Sequence, residues 1–175
     1  SVRPGMLVQN EYLGCQTALL AKWKHHSDEK FLLLGFVLLL TFRFGLRAQE
    51  AIGLQRNDWC EYQSTRWVLV RDNLQRKLKS LSSRRAVPLL FALDETEENI
   101  LQHVFSRFTL LAGNDTKRPI LCEIYESQTR LISWALQVSP VLIQLLRHGT
   151  SSDGLTLHHC RHAFYNTNSA NPVGH

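Results

Sequence analysis

No CxxC pair occurs among the 175 residues, and no secretory signal sequence precedes the four cysteines, Cys15, Cys60, Cys122 and Cys160. Their wide spacing argues against a disulfide scaffold and for reduced thiols inside a cell. No apolar run reaches the length of a membrane span. The most apolar stretch, Phe31 to Phe42, runs straight into Arg43 and Arg47, whereas a span needs about 20 apolar residues. Internal repeats, low-complexity tracts and a Ser/Gly/Pro-rich linker are also missing, so no seam divides the chain into regions of different character.

What is present fits one domain over residues 1–175, with 44% hydrophobic and 20% charged residues and enough length for a core of its own. Twenty Lys/Arg against fifteen Asp/Glu leave a net charge of +5, which is compatible with a polyanionic partner. The distribution says more than the sum. From Arg66 to Arg85 lie seven basic residues (Arg66, Arg71, Arg76, Lys77, Lys79, Arg84, Arg85) and a single acid, Asp72. A solvated basic turn and an anion-binding hairpin both fit this stretch.

Hydrophobic periodicity predicts a first helix over Asn10 to His26, ending in the basic residues that a helix C-terminus favours. Ser27 and Asp28 can cap a second helix, apolar on most sides, that runs toward Arg43 and is broken at Gly45. A short third helix is expected from about Arg47 to Leu54. From "RWVLVRD" to "RRAVPLL" the alternating, β-branched pattern predicts a hairpin or small three-stranded sheet, with Pro88 at its edge. Asp94 caps the next helix, which Gly113 ends. Two helical segments flanking Pro140 and a last helix opening near Thr156 complete a chain that is mainly α with a small antiparallel sheet, an α+β fold.

Three segments carry the chemistry. In "FRFGLRAQEAIGLQRNDW" a glycine turn leads into a helix starting at Arg47, with Glu50 three residues on. The pair is either a local ion pair or a guanidinium steadied by a carboxylate that still offers donors to an anion. In the basic hairpin, neighbouring cations such as Arg76 and Lys77 can lower a lysine's pKa until it serves as a proton donor. In "TLHHCRHAFYN" His158 and Arg161 share a helix face and can converge on one group. His158 and His162 also have the spacing of zinc-binding helices, but no acid lies between them and no third ligand segment is apparent. His159, Cys160 and His162 are expected to pack or hydrogen-bond.

In order, Gly-Leu-Arg-x-x-Glu, a lysine-bearing hairpin ending in Arg-x-Val-Pro-Leu, and Gly-Leu-Thr-x-His-x-x-Arg-His resemble the catalytic domain of the tyrosine recombinases, the phage-integrase family. The resemblance covers roughly Leu32 to Tyr165. It implies a site-specific DNA recombinase that cleaves and rejoins strands through a 3′-phosphotyrosyl intermediate, with no metal or other cofactor. Arg47 and Arg161 would bind the non-bridging oxygens of a DNA phosphate, and His158 would add a hydrogen bond. Lys79, with Lys77 as its rival, would protonate the departing 5′ oxygen. Glu50 would play a supporting part, and Arg76, Lys77, Arg84 and Arg85 would contact DNA. The implied partners are double-stranded DNA and further recombinase protomers, with no membrane; the implied setting is the cytoplasm of a bacterium carrying a phage or mobile element. Guanidinium donors suit a reaction that builds charge on phosphoryl oxygens, and the sequence has no Asp/Glu cluster for divalent cations.

The match has gaps. "NPVGH" resembles the family's later Gly-His turn, which would make His175 a second active-site histidine, but no tyrosine follows it. Tyr165 is the one tyrosine after Arg161, four residues on, too close to the clamp to attack in line, and is expected to pack. The nucleophile is therefore unassigned. On this reading the chain is a catalytic-domain fragment without the nucleophile-bearing tail or the family's amino-terminal DNA-clamping domain. Two alternatives follow: a degenerate relative that keeps the clamp and binds DNA without cutting it, and an all-α protein with structural zinc at the His158–His162 segment.

Overall fold

The computed structural model describes residues 4–72 and 84–124. They form a mixed helix and sheet structure, helix α1 (Pro4–His26), α2 (Glu29–Phe44), α3 (Ala48–Ile52), strands β1 (Trp59–Tyr62), β2 (Thr65–Val70) and β3 (Arg85–Pro88), then α4 (Glu95–Ala112). The coarse α+β expectation holds for this part. The helical segments expected after Ser127 lie outside the described residues.

The α2 helix is the axis. Eleven of its sixteen residues are buried, so it is apolar nearly all round and must be wrapped by other elements. Asp28 caps it, its side chain accepting from Lys30 N–H at 3.0 Å. The α1 helix buries Tyr12, Cys15, Gln16, Leu19 and Leu20, spaced as one helical stripe, and α4 buries Glu97, Ile100, Leu101, Val104 and Phe108. Both stripes lie against α2. Gly35 permits the close approach: a Cβ there would stand 3.0 Å from Gln16 Oε1 and 3.1 Å from Ile100 Cδ1.

At the end of α2, Gly45 takes φ +68°, a conformation glycine adopts without strain, and the chain turns so that Leu46 enters the core. The third helix is shorter than expected, Ala48–Ile52, with Arg47 at its N-cap. The sheet has three strands in the order β1-β2-β3, both pairs antiparallel. β1 is the strand that the alternation did not mark, since only Trp59 of its four residues is buried. Among the described residues Pro88 lies in the edge strand β3, where no further ladder needs its missing N–H. Trp59, Val68 and Val87 pair across the strands and form a buried row toward α2. Among the described residues no helix is long and apolar enough to cross a membrane.

Candidate functional site

Arg47 sits between a fixed point and a helix. Leu46, fully buried, anchors the chain on one side, and α3 begins on the other. Glu50, the third residue of α3, turns back so that its Oε1 accepts from Arg47 N–H at 2.8 Å. That bond satisfies one donor of the exposed first turn. Arginine is an unusual residue for this position, since its side chain has no acceptor to offer the helix.

The Glu50 carboxylate is buried and is held from the other side by Arg85 of β3. Arg85 Nη2 donates to Oε1 at 2.9 Å and Nη1 to Oε2 at 3.1 Å, a two-point grip. Arg47 Nη1 stands 3.7 Å from Glu50 Oε2, within ion-pair range but beyond a hydrogen bond. The Arg47 side chain is 42% exposed. Burial opposes the charge on Glu50. The hydrogen bonds from Arg85 and the Arg47 N–H, with the two guanidinium charges, outweigh it and hold the carboxyl below its ordinary pKa.

The other described arginines of the basic stretch also meet acids. Arg71 Nε donates to the buried Asp58 at 2.7 Å. Arg84 Nη2 donates to Asp72 at 2.6 Å, joining the two residues that flank positions 73–83. Arg66 donates to both Glu98 oxygens, at 2.6 and 2.9 Å, and lies 3.5 Å from Glu61. Each of the four described arginines of the stretch, Arg66, Arg71, Arg84 and Arg85, thus meets a carboxylate. The cavity of about 540 Å³ between the sheet and α4 illustrates this: Arg66 lines it together with Glu61 and Glu98, its own partners.

Of the expected site residues, the structure brings Arg47, Glu50 and Arg85 together and turns Arg84 to Asp72. Arg76, Lys77, Lys79, His158, Arg161, Tyr165 and His175 lie outside the described residues. Sequence reasoning missed Arg85's grip on Glu50. The signal was there: strand alternation puts Arg85 on the face of Val87, which points inward. It also missed Asp58, buried in the "RNDW" turn, whose Oδ2 accepts from Gln55 N–H at 3.1 Å. Among the described residues no three His, Cys, Asp or Glu side chains are arranged to hold a metal ion. No family model matches the chain, and neither a curated protein nor a solved structure does.

Proposed function

We propose that the chain is a catalytic domain of the tyrosine-recombinase type, with Arg47 as one arm of a clamp on a DNA phosphate. The observation that carries the reading is the Arg47–Glu50–Arg85 cluster. It supplies what the Gly-Leu-Arg-x-x-Glu motif demands, a guanidinium tethered by its backbone to a buried carboxylate and open to solvent on its outer side.

In this reading Arg161 is the second arm and His158 a further donor to the same phosphate. A tyrosine, unassigned in this chain, gives its hydroxyl proton to a base as its oxygen bonds phosphorus; the bond to the 5′ oxygen breaks, and Lys79, or its rival Lys77, delivers a proton to that oxygen. Preorganised guanidinium donors stabilise the charge that builds on the phosphoryl oxygens. Tyr165 is not the nucleophile. Arg76, Lys77 and Arg84 would contact DNA, and Glu50 would support Arg47 without touching the reacting atoms. The partners are double-stranded DNA and other protomers on it.

The test is duplex-DNA binding as a function of salt. Arg47→Ala should weaken binding and lower the slope of log affinity against log salt by about one, the signature of one lost phosphate contact. Unchanged affinity and slope would remove Arg47 from the interface. Incubating the chain with a nicked suicide duplex should give no phosphotyrosyl adduct on the peptide containing Tyr165; a Tyr165 adduct found by mass mapping would overturn that assignment.

A further inference from the structure

We propose that Arg85 is a positioning residue for Arg47 and not a DNA contact: by occupying both oxygens of Glu50, it keeps that carboxylate from capturing the Arg47 guanidinium. The inference rests on the clamp reading above and adds a residue to it.

Strand geometry puts Arg85 where it is. It pairs with Val70 across the ladder and shares a face with Val87, and both valines are buried. A charge on the inward face of a strand needs a partner, and Arg85 meets Glu50 of α3. The carboxylate lies between two guanidinium groups with unequal shares. Arg85 has both direct bonds, at 2.9 and 3.1 Å. Arg47 has the backbone bond at 2.8 Å and a side-chain approach of 3.7 Å.

Without Arg85, the buried carboxylate would lose its two charge-assisted bonds. Among the described residues the Arg47 guanidinium already stands 3.7 Å from Glu50 Oε2, and a rotamer change would bring it to contact. A guanidinium engaged two-point with Glu50 turns its best donors away from solvent. Arg85 therefore preserves the anion-binding state of Arg47 through competition for one carboxylate. Had Arg85 been a phosphate contact, its two terminal nitrogens would face outward, as those of an exposed side chain do. They face Glu50.

Removing the carboxylate separates the two roles. DNA binding to a short duplex is measured at two salt concentrations for the full chain and for Arg47→Ala, Arg85→Gln, Glu50→Gln and the Arg85→Gln/Glu50→Gln pair, with folding checked by circular dichroism. Arg85→Gln should weaken binding about tenfold and lower the salt slope by about one, as Arg47→Ala does. Adding Glu50→Gln should restore affinity to about that of Glu50→Gln alone, because nothing is left to capture Arg47. A pair as weak as Arg85→Gln, or weaker, makes Arg85 a direct contact and overturns the proposal. If Arg47→Ala binds like the unmodified chain, the clamp reading itself fails and the proposal falls with it, a result distinct from failed restoration. Should Arg85→Gln not fold, Arg85→Lys carries the same comparison: its ammonium takes one oxygen at a time and should give a partial loss that Glu50→Gln again reverses.

Discussion

Glu97 and Glu50 hold the same place in their helices, the third residue after the N-cap, and each accepts from the N-cap N–H, Asp94 N at 3.1 Å and Arg47 N at 2.8 Å. Each also grips an arginine from another element. At α4 the device is closed. Asp94 Oδ1 accepts from Glu97 N–H in return, Arg43 donates to both Glu97 oxygens at 2.7 and 2.8 Å, and Tyr12 donates its hydroxyl at 2.6 Å. Arg43 is 9% exposed and Glu97 not at all. At α3 the cap residue is an arginine, which cannot reciprocate, and its side chain reaches solvent. One local arrangement thus welds three helices in the first case and presents a cation in the second.

The largest expected effect tests the closed member. Glu97→Ala leaves the Arg43 guanidinium buried without its carboxylate and should cost about 3–5 kcal/mol in urea denaturation. A loss under about 1 kcal/mol would mean that Arg43 finds water or another acceptor, and the cluster would no longer differ in kind from an open ion pair.

Tyr12 gives the next effect. Its hydroxyl donates to Glu97 and accepts from Gln16 Nε2 at 3.1 Å, so Tyr12→Phe should lose about 1–3 kcal/mol at neutral pH. Burial, followed by the Glu97 charge, pushes the phenol well above its ordinary 10.0. The folded state then keeps this proton to a higher pH than the unfolded chain does. The phenol's contribution is complete below pH 10 and lost as pH rises toward the folded value. The unmodified chain should therefore lose more stability than Tyr12→Phe between pH 9 and 11, as followed by denaturation. Parallel curves would assign the alkaline loss to another group.

The two clusters were legible in the sequence to different degrees. Helical stripes marked α1, α2 and α4, and Asp28, Asp94 and Gly45 marked their boundaries, because caps and periodicity are local properties. The Arg47–Glu50 pair was legible for the same reason, lying three residues apart on one short helix. Arg85 and Arg43 were not, since their partners are 35 and 54 residues away and only the tertiary fold brings them together. Charge counting stopped short for the same reason. It found one acid, Asp72, beside seven cations between Arg66 and Arg85, because the acids that meet Arg66, Arg71 and Arg85, namely Glu98, Asp58 and Glu50, come from outside the run. The strand β1 escaped because alternation appears only where one face is buried, and past Trp59 it is half-exposed or more.

The smallest effect in stability is the sharpest on the comparison. Serine is among the best N-cap residues, whereas arginine offers no acceptor and sets a cation at the positive end of the helix dipole. Arg47→Ser should therefore leave stability unchanged or raise it by about 0.5–1 kcal/mol, since the gained cap offsets an ion pair that is long at 3.7 Å and nearly half exposed. Urea denaturation reads the first quantity and duplex binding the second, which should fall as it does for Arg47→Ala. Stability gained while binding is lost is the pattern of a residue kept for what it touches outside the fold. A stability loss above about 1 kcal/mol would instead make Arg47 a structural partner of Glu50, the counterpart of Arg43, and the contrast between the two glutamates would collapse.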